Sequence, residues 1–211
     1  MDFLIDLVLH IDQKLVDLVN HYGTLTYVIL FLIIFIETGL IVMPFLPGDS
    51  LLFAVGTVAA IDNSPLHIAF IIPLLICAAL LGDNVNYVVG RLAGKTIKSK
   101  RKILFLKKEY IEQTEHFYER YGVKTIIIAR FVPIVRTVAP FVAGAGNMFY
   151  GKYITFCIFG ALLWVVSLTM LGYWFGNIPL VKDNFEIVIL GFIVLSITPM
   201  IIGFIAKKRK H

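Results

Sequence analysis

The chain has 211 residues, 59% of them hydrophobic and 16% charged, against roughly 25% charged in soluble domains. That composition excludes a soluble globular domain and predicts an all-α polytopic membrane protein, with 1–211 as a single membrane domain. The net charge of +5 is concentrated in eight bases between Arg91 and Lys108, with no acid among them, and in Lys207, Lys208, Arg209 and Lys210 at the end. Basic clusters beside apolar runs predict cytoplasmic faces for segment 95–108 and the C-terminus, and attraction to anionic headgroups. No soluble domain carries this charge, so nucleic acid is not an expected partner.

Residues 1–22 read as an amphipathic helix on the membrane surface. Leu4, Val8, Ile11, Leu15, Leu18 and Tyr22 recur at helical steps, opposite Asp6, His10, Gln13, Asp17 and Asn20. The opening residues lack the basic n-region of a cleavable signal. Segment 24–60 reads as a broken hairpin. Leu25 to Ile36 is apolar, Glu37 interrupts it, and Gly39, Pro44, Pro47, Gly48 and Asp49 follow. The run Leu51 to Ala60, with Asp49 or Ser50 as its cap, is about 15 Å long as a helix, half of a ~30 Å hydrocarbon core. A re-entrant hairpin fits these lengths, with irregular backbone at depth needing protein or a wet cavity around it. Residues Leu25 to Pro44 either turn back or cross fully, and the two choices put the N-terminus on opposite faces.

Segment 65–90 reads as a full span despite Pro73, with Asp83, Asn84, Asn86 and Arg91 near its cytoplasmic end. These four are secondary candidates: they either snorkel at the interface or close a cytoplasmic gate. Segment 95–121 combines the basic cluster with a short polar helix from Lys107 to Tyr121 along the inner face. Segment 123–148 is a second broken hairpin, 150–176 a second span and 184–206 a third. Cys77 and Cys157 both lie in apolar runs and read as buried thiols. Without nearby histidines they make neither a metal site nor an expected disulfide, and no cofactor is implied. Trp164 reads as packing within its span and Trp174 as an interfacial anchor.

The second hairpin is the puzzle. Its sequence I-I-I-A-R-F-V-P-I-V-R-T-V-A-P-F-V-A-G-A-G-N-M places Arg130 and Arg136 in apolar surroundings, with breaks expected from Val132 to Pro140. At the bilayer centre each arginine costs about 2.5 to 3.5 kcal/mol on a translocon-type scale. The first hairpin carries Glu37 and Asp49. If the two hairpins face each other, four charges sum to zero in one place. An internal echo points the same way. Phe53-Ala54-Val55-Gly56 resembles Phe141-Val142-Ala143-Gly144, and Tyr87-Val88-Val89-Gly90 resembles Tyr173-Trp174-Phe175-Gly176, at offsets of about 88 and about 86 residues. The fold expected is two inverted repeats, each a re-entrant broken-helix hairpin plus a transmembrane helix, with an extra C-terminal transmembrane helix and amphipathic surface helices.

The pattern E-x-G…F-L-P-G-D-S, then G-D…Y-x-x-G-R, then A-R-F-V-P-I-V-R-T…P-F-V-A-G and G-A-L-L-W…G-Y-x-F-G resembles the DedA family, also called the VTT or SNARE-associated Golgi protein family. Ile134 departs from it, standing where many members have glycine. The resemblance implies a flippase- or scramblase-like transporter for a phosphate-bearing lipid, undecaprenyl phosphate or phosphatidylethanolamine, in the cytoplasmic membrane. It also implies a role in envelope integrity and coupling to protons. The family's essential acids match Glu37 and Asp49, and its essential arginines match Arg130 and Arg136. The chemistry agrees: arginine forks onto phosphate oxygens, and a carboxylate in an apolar site exchanges protons in a useful range. The expected partners are the lipid, protons and the membrane. A proton- or sodium-coupled exchanger of small solutes is the alternative. An enzyme is not expected, because all five histidines lie outside the arginine stretch. Nothing in the sequence sets the oligomeric state.

Overall fold

The computed structural model describes residues 23–40, 48–61, 64–97 and 108–178. These form seven α-helices: α1 (Leu25–Gly39), α2 (Gly48–Ala59), α3 (Ile68–Ile97), α4 (Lys108–Tyr121), α5 (Thr125–Ala129), α6 (Pro133–Ala145) and α7 (Tyr150–Gly176), with a 3-10 turn at Gly122–Lys124. The surface helix expected at 1–22, most of the break expected from Met43 to Asp49, the basic run 98–107 and the span expected at 184–206 lie outside the described residues; Gly48 and Asp49 already belong to α2.

Local chemistry sets the boundaries. Glu37 does not end α1; it sits with Thr38 in the last turn, where the Thr38 hydroxyl donates to the Ile34 carbonyl at 2.9 Å, and the helix stops at Gly39. The break expected from Val132 to Pro140 is shorter than that span. Arg130, Phe131 and Val132 tighten into i→i−3 bonds of 3.2, 3.1 and 2.9 Å, and Val132 is extended at φ −118°, ψ 104°. The residue before a proline is pushed out of the helical region, and Pro133 is preorganised to start the next helix at its first turn. From there α6 continues past Pro140, which gives up one backbone N–H. Between α6 and α7, Asn147 takes a left-handed φ of 54°, a conformation that asparagine tolerates.

Two helices, at 68–93 and 150–176, are long and apolar enough to cross a membrane. Their exposed faces are apolar. Leu81, Val85, Val88 and Leu92 form a stripe on α3, and Ile158, Phe159, Leu162 and Leu163 cover one side of α7; Leu25, Val28, Leu32 and Ile36 do the same on α1. Glu37, Thr38, Asp83, Asn86, Arg130, Arg136 and Thr137 are buried instead. Polar side in and apolar side out is what a hydrocarbon solvent selects. Cys77 follows the same rule and lies exposed, against the expectation of a buried thiol, because its position on α3 faces outward; Cys157 is buried.

The described residues fall into two compact units. One takes in residues 23–28, 48–72 and 166–178 as far as they are described, and the other 29–40 and 73–165. In the first, α2 lies against residues 166–176 of α7 and is buried along nearly its whole length. Glycines permit the approach. A methyl group on Gly56 would run into the Thr169 carbonyl, and one on Gly172 into the Phe53 carbonyl. The Thr57 hydroxyl donates to Gly172 O at 3.1 Å across the same contact. In the second unit α6 crosses α3 in a like manner, with Gly144 against the Tyr87 carbonyl and Gly90 against the Phe141 carbonyl. The segments that echo each other in sequence, Phe53–Gly56 and Phe141–Gly144, thus make the same kind of contact, each within its own unit. The second unit's core joins Tyr87, Ile126, Ala143, Tyr153 and Cys157, with α4 contributing Tyr118.

Candidate functional site

The second unit buries four charges in two ion pairs. Arg136 on α6 donates through Nη2 to Glu37 Oε1 on α1. Arg130, at the C-cap of α5, donates through Nη2 to Asp83 Oδ2 on α3. All four side chains are nearly sealed from solvent; the most exposed, Arg136, reaches only 8%. The charges sum to zero, so no net charge is buried, and the attraction within each pair offsets part of the desolvation cost.

One aromatic serves both cations. The Trp164 ring lies 5.0 Å from the Arg136 guanidinium carbon and 5.9 Å from that of Arg130, within reach of cation–π attraction. Trp164 is therefore more than packing within a span. Asn86, one turn along α3 from Asp83, ties the pairs' supports together. Its Nδ2 donates to the Thr137 carbonyl at 2.7 Å and lies 3.5 Å from the Thr38 carbonyl, the residues next to Arg136 and Glu37.

Arg130 is the more elaborately held. Beyond Asp83, its Nη2 lies 3.4 Å from the Cys157 carbonyl and 3.5 Å from Cys157 Sγ. The Cys157 thiol donates to Asp83 Oδ2 at 3.1 Å, and the Tyr153 hydroxyl donates to the Asp83 carbonyl at 2.8 Å. From α4, the Tyr118 hydroxyl donates to the Ala139 carbonyl at 3.0 Å. Burial raises the Tyr118 phenol above its ordinary value, with Cys157 and Asp83 adding to the rise, so it stays a neutral donor.

The expected constellation is thus rearranged. Glu37 and Arg136 meet. Arg130 takes Asp83 as its carboxylate, in place of the first hairpin's acids. Asp49 sits half-buried in the first turn of α2, within the first unit. An acid there favours the helix dipole. Asp83 and Asn86 do not snorkel; both are buried, because Ala79, Gly82, Asp83, Asn86 and Gly90 share the inward face of α3. Asn84 is half-buried, donating to the Leu80 carbonyl at 2.7 Å and accepting from the Tyr150 hydroxyl at 2.8 Å. Arg91 is exposed and donates to the Tyr87 hydroxyl at 3.1 Å. A sequence signal for Asp83 existed: small and polar residues at three- and four-residue steps opposite the apolar stripe 81, 85, 88, 92. Cys157, Gly160 and Trp164 repeat that signal on α7. No group of residues that could hold a metal occurs among the described residues.

The VTT domain family matches residues 46–174. The chain is 51% identical to Protein DedA of Escherichia coli over 207 residues, covering 98% of this chain and 94% of that one. It is 40% identical over 172 residues to an uncharacterized membrane protein of Mycobacterium tuberculosis (82% and 75% covered), and 37% identical over 153 residues to the inner membrane protein YqjA of Escherichia coli (72% and 69%). No solved structure matches the chain. Residues 46–174 hold both arginines and Asp83, and near full-length identity carries the likeness across the remainder: the chain belongs to the DedA family of membrane proteins.

Proposed function

We propose that this protein moves a phosphate-bearing lipid, of the undecaprenyl phosphate or phosphatidylethanolamine class, across the cytoplasmic membrane, coupled to protons and in support of envelope integrity. The observation that carries this reading is the pair of buried arginines, each matched to one carboxylate and both against Trp164. Buried ion pairs stabilise poorly compared with apolar packing, so two of them in a membrane interior argue for use. Arginine keeps its charge and offers planar donors to phosphate oxygens. In the proposed cycle the carboxylates exchange with the lipid phosphate as partners of the arginines, and no covalent bond is made or broken. The hairpins are read as inverted repeats entering from opposite faces, with segment 95–108 and the C-terminus on the cytoplasmic side.

Purified protein in vesicles containing fluorescent polyprenyl phosphate or phosphatidylethanolamine tests this. Wild type should bring the inner-leaflet label to the outside. Arg136→Lys should transport poorly despite keeping its charge, because a lysine cannot fork. Full activity in both Arg130→Ala and Arg136→Ala would sink the proposal. The buried carboxylates would equally serve a proton- or sodium-coupled solute exchanger, and uptake of a soluble solute without lipid movement would establish that reading instead.

A further inference from the structure

We propose that Arg130 and Asp83 form an anion-plus-proton site: a phosphate ester docks on Arg130, and Asp83 takes up a proton as it does so. This rests on the reading that the arginines meet a lipid phosphate, and it places the proton on a carboxylate outside both hairpins.

The donor inventory comes first. A guanidinium presents five N–H donors and is never deprotonated in proteins. On Arg130 only Nη2 is engaged; Nε and Nη1 are buried with no hydrogen-bond acceptor among the described residues. Buried polar groups are nearly always satisfied, so unused donors on a cation call for an acceptor. An oxyanion supplies it.

The seat comes next. Cys157, Gly160 and Trp164 lie on one face of α7 and line the arginine side chain. A methyl group on Gly160 would lie 2.9 Å from Arg130 Nε and 3.1 Å from Cδ, so glycine makes the groove in which the side chain rests. With Asp83 on Nη2 and this groove along the stem, the guanidinium is positioned before any ligand arrives.

Charge then links anion to proton. The Arg130–Asp83 pair is neutral; a monoanion beside it would leave one uncompensated negative charge in an apolar interior. A second anion raises a neighbouring carboxylate's affinity for protons. Asp83 faces Arg130, the Cys157 thiol and the Tyr153 hydroxyl, and Tyr118 of α4 feels its charge. Apart from Arg130 none of these is a cation. The balance closes simply: one proton from water joins the Asp83 carboxylate, Arg130 stays charged, and the phosphate ester's charge replaces the carboxylate's.

Calorimetry on the full chain in neutral detergent tests this with dihexanoylphosphatidylglycerol, whose single negative charge does not titrate near neutrality, and with dimethyl phosphate. Titration in two buffers of different ionisation heat counts the protons. Wild type should take up a proton per anion, with Kd rising by up to about tenfold per pH unit as one proton is coupled to binding. Asp83→Asn should bind with no proton uptake and a flat pH profile. Proton-linked binding of the acylated probe alone supports a lipid ligand; binding of dimethyl phosphate as well supports the same site with the headgroup sufficing. Anion binding to wild type without proton uptake overturns the site, and that measurement needs no variant to fold. Uptake that persists in Asp83→Asn overturns it too. Failure of lipid movement with proton-linked binding intact would remove the transport reading and leave this site standing.

Discussion

A single aspartate shows how much one side chain decides. Asp83 holds Arg130 from 47 positions away along the chain, and removing either partner leaves the other as a buried uncompensated charge. Such a loss costs about 3 to 5 kcal/mol, whereas exchanging a whole pair for apolar residues of similar volume is often neutral. Asp83→Leu and Arg130→Met alone should each lower the thermal midpoint in detergent strongly, and the double variant should regain much of the loss while failing to move lipid. Recovery of stability without transport would separate the pair's structural part from its functional one. Equal destabilisation in single and double variants would show that the charges do not act on each other. Trp164 belongs to the same scale. It bears on both arginines, a role worth about 0.5 to 2 kcal/mol per contact that its sequence neighbours do not announce.

Helices in this protein meet backbone to backbone. Gly144 against the Tyr87 carbonyl in one unit and Gly56 against the Thr169 carbonyl in the other leave no room for a side chain. Small residues at such crossings let membrane helices pack without a hydrophobic drive between them. Gly144→Ala should force α6 away from α3 and cost about 1 to 3 kcal/mol as overpacking. Because α6 carries Arg136, the proposed lipid movement should fall with stability. Gly56→Ala should cost a similar amount through α2 and α7. Gly122 provides the contrast: nothing crowds it, but its φ of 57° penalises a side chain by backbone strain alone. A thermal shift for Gly144→Ala no larger than for an exposed alanine substitution would show that the crossing is looser than described. These elements were largely legible. Apolar run lengths predicted both spans, and the polar run predicted α4. The break expected from Val132 to Pro140 was placed too broadly, because Pro133 starts a helix and Pro140 lies inside it.

Among the described residues the four paired charges face inward and the apolar stripes of α1, α3 and α7 face outward, and the two cysteines report on that division. A membrane-soluble maleimide should label Cys77 in the native protein and reach Cys157 only on unfolding, as mass spectrometry of the labelled chain would reveal. Equal labelling of both thiols in the native state would contradict the burial described for the arginine site. By itself the sequence determined the membrane setting, the α-helical class, the family and the identity of the buried arginines, since run length, composition and local motifs are properties of neighbouring residues. It also carried the helical stripes that mark Asp83 and Asn86, although a stripe names a face and not the partner that covers it. Only the tertiary structure decided who neutralises whom. Glu37 with Arg136 and Asp83 with Arg130 are pairings across 99 and 47 residues, and no local period encodes them. They follow from which helix faces pack together, and that is settled where glycines let α3, α6 and α7 come close enough for buried charges to meet.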